Sequence, residues 1–356
     1  MSGNRLVAEE PLRQFCIEAL EKVGVPRDDA RIVADLQVES DLRGVHSHGT
    51  AAILGYVHRL QQGGTNPRPN ITITRESPYH ALVDGDHGLG QLVATRAMEI
   101  CISKAKQSGL ACVGVFHSNH FGAAANYSMM ALKEDLIGFA MTNAAAIIPP
   151  TGGLTGIFGT NPISFAIPTG HSYPVVLDIA MSVAAQQKIV QAYREGRKIP
   201  PEWGLDKEGK ATDDPLTALT SGIMPALGEH KGYGLALLVE VLSAVMTGAR
   251  FGRATEPSTW RPGERLNVGH FLAALNPTLF MPLDEFKTRM ETLITQVKNS
   301  ARRQGVAQIY LPGEIEYQKR ERALKEGIPL PPATWQALEQ LRQELGLETK
   351  LGLDEE

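Results

Sequence analysis

The sequence predicts an α/β protein built around a covered, mixed sheet. Beyond about residue 78, short apolar runs of strand length alternate with longer runs of helical periodicity, as expected of partly parallel strands covered by helices. The 35 glycines, many in small clusters between apolar runs, are typical of the tight turns in such a protein. The segments before and after this region favour helices.

The first sixty residues predict three helices. Residues 11–24 place apolar side chains at a 3.6-residue period on one stripe. Residues 27–44 predict a second helix, with Asp28 and Asp29 at its start as N-cap and as partners of the helix dipole. Residues 49–62 predict a third helix.

The middle and end of the chain supply the remaining elements. Apolar runs of strand length lie at 79–85, 111–118, 137–144, 162–169, 174–180 and 270–277. Helical segments lie at 90–109, 123–134, 182–196 and 232–248, and the last of these, which is the most apolar, is expected to be a buried core helix. Helices follow at 283–303, 316–327 and 332–346, and the tail at 348–356 is expected to fray.

Composition and charge argue against several classes of function. A formal net charge of -4 gives no electrostatic reason to bind nucleic acid or an anionic membrane. The three cysteines are scattered, so they form neither a disulfide framework nor a cysteine-based zinc motif. The N-terminal stretch carries acidic residues where a signal peptide needs an apolar core, and we expect a cytoplasmic protein. The longest apolar run, 232–248, contains Glu240 and is short for a membrane span.

Two histidine segments are candidates for chemistry. His46 and His48 flank Ser47 in a tight connection between two predicted helices, and His117 and His120 follow a predicted strand. His-x-His and His-x-x-His are weak metal patterns on their own, and neither segment contains the carboxylate that a hydrolytic metal site ordinarily uses. The sequence therefore predicts no metal site.

His120 is a candidate for acid–base catalysis. It lies in the context Ser-Asn-His-Phe-Gly at the carboxyl end of a strand, where side chains of an α/β sheet face the usual ligand crevice. Imidazole titrates near neutral pH, so this side chain is suited to supply the proton of a carbonyl reduction. A lone histidine in such a place more often caps the next helix or fills a polar pocket, and both interpretations stay open on these residues alone.

Three glycine-containing segments bear on nucleotide binding. In 157–168, small residues form a turn that enters a strand and lets a ligand approach the backbone. In 228–234, His230 and Lys231 precede the most apolar helix, and a helix N-terminus beside a lysine suits a nucleotide phosphate. A plain turn and a solvated lysine are the alternatives. The segment 85–92 lacks the third glycine of a dinucleotide fingerprint, so no Rossmann domain is predicted.

Seven segments, in the same order along the chain, resemble those of a known family. They are DLRGVHSHG, VDGDHGLGQLVATRAM, SNHFGAAANYSMMAL, GTNPISFAIP, VVLDIAMSVAAQQKI, IPPEWGLDKEGKATDDP and GEHKGYGLALLVEVLSAVMTGA. From about residue 10 to about residue 315 the chain resembles the type-2 malate/L-lactate dehydrogenase family. These non-Rossmann, NAD(P)-dependent reductases include ureidoglycolate and sulfolactate dehydrogenases, 2,3-diketogulonate reductase and piperideine-2-carboxylate reductase.

The resemblance implies a domain arrangement and a homodimer. An N-terminal helical segment (1–77) and a C-terminal segment (265–356) would pack together, with a non-Rossmann, cofactor-binding and catalytic α/β domain (78–264) inserted between them. It also implies hydride transfer between NAD or NADP and the carbonyl carbon of a small 2-oxo acid.

The resemblance carries residue roles with it. His120 matches the family's proton donor and acceptor, and Ser47 and His48 match an active-site pair near the substrate. The positions that match dinucleotide-holding segments are Thr160, Asn161, Pro162, Asp178, Ile179, Ala180, Met181, Ser182, His230, Lys231, Gly232, Gly313 and Glu314.

One departure concerns the substrate. The family pattern Ser-His-Gly-x-x-Arg supplies an arginine that grips the substrate carboxylate, and this chain has Ala52 at that position. Hydrogen bonds to a charged group contribute roughly 1.5–3 kcal/mol, which alanine does not supply. Three hypotheses follow: a reductase with an altered substrate, the same reaction on an ordinary 2-hydroxy acid with another residue in the arginine's place, or a catalytically inactive nucleotide-binding relative.

Overall fold

A seven-stranded mixed sheet forms the centre of the protein. The computed structural model describes residues 4–255 and 261–351. Its strands are β1 (Arg5–Val7), β2 (Thr72–Ser77), β3 (His80–Asp84), β4 (Leu110–Ser118), β5 (Ile137–Thr142), β6 (Ile163–Ile167), β7 (Val175–Ile179), β8 (Val268–Leu275) and β9 (Ile328–Leu330). The large sheet has the order β2-β3-β4-β8-β5-β6-β7, in which β3 and β4 are parallel and the other neighbours antiparallel. The predicted α/β class with a mixed sheet is confirmed.

Helices from both ends of the chain share one hydrophobic core. The helices are α1 (Glu9–Lys22), α2 (Arg27–Leu42), α3 (Ile53–Gln61), α4 (Gly90–Ser108), α5 (Ala125–Ser128), α6 (Gln186–Arg194), α7 (Pro215–Ser221), α8 (His230–Glu240), α9 (Leu283–Lys298), α10 (Glu314–Glu326) and α11 (Pro332–Leu345). Apolar residues of α1, α2 and α3 pack with those of α10 and α11. Strands β1 and β9 join the same two ends as an antiparallel pair.

Helices cover both faces of the central sheet. Because side chains alternate along a strand, Leu272 and Phe271 of β8 point to opposite faces. Leu272 packs with the buried residues of α4, whereas Phe271 packs with Ala236 and Val239 of α8. The sheet therefore presents its strand ends and connecting loops, rather than its faces, to a ligand.

The central region differs from the prediction at both of its borders. Strand β2, which the sequence did not predict, lies at the exposed edge of the sheet, and Ile73 is its single apolar residue. Strand β8 belongs to the segment 265–356 but lies in the middle of the large sheet, between β4 and β5. That segment therefore does not pack as a whole on the N-terminal helices.

Three of the predicted helices differ in detail from the structure. The helix predicted at 182–196 begins only at Gln186, because Ser182 pairs with Ala226 in an isolated β-bridge and this holds the preceding chain extended. The predicted helix 27–44 begins at Arg27 with Pro26 as its N-cap, so Asp28 lies in the first turn and acts on the helix dipole only. The predicted helix 123–134 is the short α5 followed by a 3-10 turn.

The helix predicted as buried at 232–248 is buried on one side only. Helix α8 continues as a π-helical turn over Val241–Val245, and Leu235, Leu238, Val245 and Met246 are 40%, 46%, 51% and 62% exposed. The side that carries Ala236, Val239 and Leu242 packs with residues of the sheet, whereas the four exposed side chains lie on other sides of the helix. An apolar surface thus remains on the chain.

The described part of the predicted tail is ordered against α1. The backbone N–H groups of Glu348 and Thr349 donate to the Glu18 carboxylate, and Leu351 is buried in the helical core. The prediction of fraying is therefore wrong for 348–351, and its remainder, 352–356, lies outside the described residues. Across the described ranges, every helix is too short or too polar to cross a membrane.

Candidate active site

Two histidine side chains from distant parts of the sequence meet at the end of strand β4. His48 lies in a 3-10 turn (His46–His48) after α2, and His120 lies in the loop after β4. Their rings are nearly parallel, with centroids 5.6 Å apart. The Ser47 hydroxyl lies 2.9 Å from Nδ1 of His48. All three residues predicted to act on the substrate are therefore in one cluster.

A buried carboxylate shapes the turn that carries His48. Asp41, at 1% exposure, accepts hydrogen bonds from the Thr50 N–H (2.8 Å) and the Thr50 hydroxyl (2.7 Å), and it lies 2.8 Å from Nδ1 of His46. A side chain on Gly49 would overlap this carboxylate. His46, for which the sequence predicted no role, therefore helps to fix the turn. Residue 49 must be glycine because the Asp41 carboxylate lies too close to it for a side chain.

The loop that carries His120 is fixed on both sides of that residue. The Asn119 amide donates to the carbonyl groups of residues 87 and 88 (2.9 and 2.7 Å), and its oxygen lies 3.3 Å from the Arg59 guanidinium. Gly90, the first residue of α4, lies so close to the His120 carbonyl that a Cβ would overlap it. The loop therefore packs directly on the start of α4.

Tyr56 joins this cluster, although no motif in the sequence points to it. Its hydroxyl lies 2.8 Å from Nδ1 of His120, and the two ring centroids are 6.1 Å apart. Tyr56 shares the buried face of α3 with Ile53, Val57 and Leu60. The available signal is a tyrosine on an otherwise apolar face, since a buried hydroxyl usually has a hydrogen-bond partner.

Gln91 places an unsatisfied amide beside the same cluster. Its side chain is buried, and neither its oxygen nor its nitrogen has a hydrogen-bond partner among the described residues. The amide is near enough to the Tyr56 hydroxyl to lower that group's pKa, although burial has the larger effect and raises the pKa. Buried amides in folded proteins are normally paired, and the Tyr56 hydroxyl is the polar group beside this one.

The other two histidines of the possible four-histidine set do not join the active-site pair. His117 lies 3.1 Å from an Asp84 oxygen, and its ring centroid is 4.6 Å from that of His87. His87 in turn lies 2.7 Å from the Leu266 carbonyl oxygen. Over residues 4–255 and 261–351, no group of three or more His, Cys, Asp or Glu side chains is placed to hold a metal ion.

Three of the segments predicted to hold a dinucleotide are joined by backbone hydrogen bonds. The Met181 N–H donates to the Thr160 carbonyl (2.7 Å), and the Leu227 N–H donates to the Met181 carbonyl (2.8 Å). Ser182 pairs with Ala226 next to them. The structure thus brings together segments that are far apart in sequence.

Helix α8 begins immediately after this junction. His230 and Lys231 are exposed in its first turn, where backbone N–H groups lack intrahelical partners. A Cβ on Gly232 would overlap the Leu227 backbone, so the glycine lets the helix start pack against the junction. Lysine at a helix N-terminus is an arrangement that binds anions.

Two of the predicted cofactor residues use their side chains inside the protein. Asn161 is fully buried, and its amide donates to the Glu240 carboxylate (2.7 Å). Glu314 is also buried, and its carboxylate accepts from the Lys298 ammonium (2.6 Å) and the Leu311 N–H (2.9 Å). The side chains of these two residues are therefore not free for a ligand.

Asp178, on strand β7, differs from these two. Its carboxylate is open to solvent on one side and accepts from the Ala125 N–H (2.9 Å), and enclosure by the surrounding protein raises its pKa to about 6. Gly313 lies against the same strand, where a Cβ would be 2.9 Å from the Val176 carbonyl oxygen. The other predicted positions on this side, Pro162, Ile179 and Ala180, are partly exposed.

Comparison with known proteins identifies the family. The sequence profile described as malate/L-lactate dehydrogenase matches residues 7–339. L-sulfolactate dehydrogenase from Methanocaldococcus jannaschii is 41% identical over 342 residues, which is 96% of this chain and 98% of that protein. The chain belongs to the malate/L-lactate dehydrogenase family. The resemblance inferred from the seven segments is confirmed, as is the predicted class, an NAD(P)-dependent dehydrogenase acting on CH–OH groups.

Solved structures of this dehydrogenase family share the fold. Malate dehydrogenase from Entamoeba histolytica superposes with a TM-score of 0.92 at 31% identity and covers 97% of this chain and 99% of its own. The Δ1-piperideine-2-carboxylate reductase from Pseudomonas syringae superposes with a TM-score of 0.85 at 28% identity and covers 95% and 99%. One backbone thus serves family members that differ in substrate.

The environment of this dehydrogenase's histidine pair disfavours the charged imidazolium. Both rings lie among protein walls that weaken hydration, and this lowers the pKa of His48 and, more strongly, that of His120. A positive charge on His48 would lower the pKa of His120 further. Both side chains are therefore neutral at pH 7 in the free protein.

Proposed function

We propose that this chain catalyses reversible hydride transfer between NAD or NADP and C2 of a small 2-hydroxy or 2-oxo acid-like substrate, with His120 exchanging the hydroxyl proton. The observation that carries the proposal is the contact of Tyr56 with Nδ1 of His120, at 2.8 Å. That contact leaves Nε2 as the ring nitrogen available to a substrate. Among the residues that the structure describes, only Tyr56 pairs with the His120 ring, whereas a histidine that merely fills a buried polar site is normally paired at both nitrogens.

The proton balance follows from the neutral ring. On oxidation, Nε2 of His120 takes the hydroxyl proton while hydride leaves C2, and on reduction the imidazolium returns that proton to the carbonyl oxygen. In both directions Nδ1 carries a proton, so the Tyr56 oxygen acts as the acceptor. His48, whose ring is held by Ser47, is placed to donate a hydrogen bond to the same substrate.

The residues present fit a bound dinucleotide, which supplies or accepts the hydride. The first turn of α8, with Lys231, offers N–H donors and a cation to a phosphate. The junction of Thr160, Met181 and Leu227 presents backbone groups beside it. The unpaired amide of Gln91, next to Tyr56, offers a donor and an acceptor to the reacting end of a ligand.

The substrate differs from that of family members that carry the carboxylate arginine. Ala52 is partly buried against the helical core and supplies no charge. Arg43 does not replace the missing guanidinium, because its side chain is buried and the carboxylates of Glu39, Glu316 and Asp178 already offset its charge. We therefore propose a substrate that depends less on a gripped carboxylate.

We also propose that the protein is a homodimer that uses the apolar surface of α8. Leu235, Leu238, Val245 and Met246 lie at helical spacing, and their exposure leaves an apolar patch of the kind that marks protein–protein contacts. The partner that the family resemblance suggests is a second copy of this chain.

Removing the imidazole of residue 120 should slow turnover without preventing cofactor binding. His120→Ala is expected to lower kcat by about 10²–10⁴ because the proton transfer is lost. His117→Ala is the matched control, since His117 pairs with Asp84 outside the cluster. Steady-state kinetics and NADH fluorescence titration measure the two effects. An unchanged kcat for His120→Ala would refute the role, and NADH binding without turnover of any tested substrate by the wild type would favour the inactive alternative.

The pH profile should show a histidine that titrates below its ordinary value of about 6.5. Oxidation needs the neutral ring. The kcat/KM for the 2-hydroxy acid should therefore be constant near pH 7 and should fall only at a pH below about 6.5, where the His120 ring becomes protonated. Reduction needs the charged ring, so kcat/KM for the 2-oxo acid should fall about tenfold per pH unit above the pKa. A midpoint above 6.5 for the oxidation limb would contradict the lowered pKa.

Restoring the family arginine should change substrate preference. Ala52→Arg is expected to raise kcat/KM on oxaloacetate about tenfold or more, because roughly 1.5–3 kcal/mol of carboxylate binding is regained. Ala51→Arg, in the same turn, is the control. If Ala52→Arg stays folded and does not improve kcat/KM, the missing arginine is not what limits turnover of the acid.

Sedimentation velocity should give the mass of two chains for the wild type at micromolar concentration. Leu238→Arg places a charge on the apolar patch and should shift the protein toward one chain, whereas the exposed substitution Glu285→Arg on α9 should not. A wild type that sediments as one chain contradicts the dimer.

A further inference from the structure

We propose that His270 is a positioning residue for His120, acting through Ser118 and Phe121, which lie two residues before and one residue after it. This inference rests on the proposed role of His120. His270 lies near the start of β8 and is fully buried. No sequence motif includes it.

His270 makes two hydrogen bonds that link the loop to the sheet interior. Its Nδ1 lies 2.8 Å from the Thr142 hydroxyl on β5, and its Nε2 lies 2.7 Å from the Ser118 hydroxyl at the end of β4. The ladder between β4 and β8 is irregular between Val115 and Ser118. Side-chain bonds therefore hold the chain where regular backbone pairing is interrupted.

The direction of each hydrogen bond can be deduced. The Thr142 oxygen lies 2.9 Å from the Gly269 carbonyl and 3.1 Å from the Asn143 carbonyl, and carbonyl groups only accept, so the hydroxyl proton points to them. Thr142 must then accept from Nδ1–H of His270. A neutral imidazole carries one proton, so Nε2 is the acceptor and the Ser118 hydroxyl donates to it.

The ring of His270 also holds the other side of the loop. It stacks on Phe121 with centroids 4.7 Å apart and planes 17° apart. Tyr127 stacks on Phe121 as well, at 4.7 Å, and donates its hydroxyl proton to the Phe121 carbonyl. Burial keeps the pKa of His270 far below its ordinary value, so this arrangement does not change with pH in the working range.

The consequence is a fixed position for the imidazole of His120. Ser118 and Phe121 cannot shift without breaking a buried hydrogen bond or a ring stack. Only two residues, Asn119 and His120, lie between them, so the same contacts also restrain the position of His120. Misplacing a reacting group by about 1 Å can lower the rate about 10²-fold. A residue that contacts no substrate can therefore control kcat.

Kinetics of four variants test the proposal, with NADH and whichever of oxaloacetate or sulfopyruvate the wild type reduces faster. Ser118→Ala removes one bond to Nε2, and His270→Asn retains a donor near Nδ1 but no acceptor for Ser118. Both should lower kcat about 10- to 100-fold with the NADH Kd unchanged. His270→Gln, whose amide oxygen can accept from Ser118 but which lacks the ring that stacks on Phe121, should lower kcat less than His270→Asn does. The double variant Ser118→Ala/His270→Asn should fall no further than His270→Asn alone, since that substitution already removes the bond that Ser118→Ala removes.

Ser128→Ala is the matched control, because Ser128 is also fully buried and hydrogen-bonded, to the Ser164 hydroxyl at 2.7 Å, outside the His120 loop. It should lower Tm but leave kcat within about twofold. If Ser118→Ala behaves like Ser128→Ala, or if the two losses at 118 and 270 multiply, the positioning role is overturned. His120→Ala separates the claims: its unchanged kcat would refute the catalytic role and the inference with it, whereas its loss beside an unaffected Ser118→Ala refutes the inference alone.

Discussion

The way in which the chain leaves strand β4 is the constraint on which the active site depends. Regular pairing with β8 is disturbed after Val115, yet the next residues must present His120 at a defined place. The loop is instead held by hydrogen bonds of Asn119, by the close approach of Gly90, and by the rings beside Phe121. These contacts come from distant parts of the sequence, so the position of His120 depends on residues from several elements of the fold.

A second fixed point lies in the helical part of the protein. The Asp41 charge is buried and is therefore stable only while its donors stay in place, and the donors are supplied by the turn that carries Ser47 and His48. Tyr56, from the next helix, reaches across to His120. The packing of the terminal helices on the sheet thus sets the relative position of His48 and His120.

Much of this protein could be predicted from sequence because its signals are local. Helical periodicity, apolar strand runs and the Ser-His-Gly and Ser-Asn-His-Phe-Gly segments found most elements and brought out His48 and His120. Tyr56 and His270 were not predicted because their roles come from contacts between residues that are far apart in sequence. Tyr56 contacts His120, 64 residues away, and His270 contacts Ser118, 152 residues away. Strand β2 escaped because an exposed edge strand lacks the alternation that burial imposes.

The cofactor segments show a further limit of sequence patterns. A motif locates a stretch of chain but does not separate side chains that face a ligand from those that hold the stretch together. Asn161 and Glu314 lie in segments that match the family's dinucleotide-holding segments, but their side chains are hydrogen-bonded to Glu240 and Lys298. Lys231 and Asp178 lie in equivalent segments and remain accessible. Burial and pairing, which only the folded chain reveals, distinguish the two groups.

The most direct test of the catalytic account is a crystal structure of the protein with NAD or NADP and an unreactive analogue of a 2-hydroxy acid. The account predicts that the analogue's hydroxyl oxygen lies about 2.6–3.2 Å from Nε2 of His120, while Nδ1 keeps its contact with Tyr56. A hydroxyl group bound elsewhere, with Nε2 of His120 facing another protein group, would contradict it.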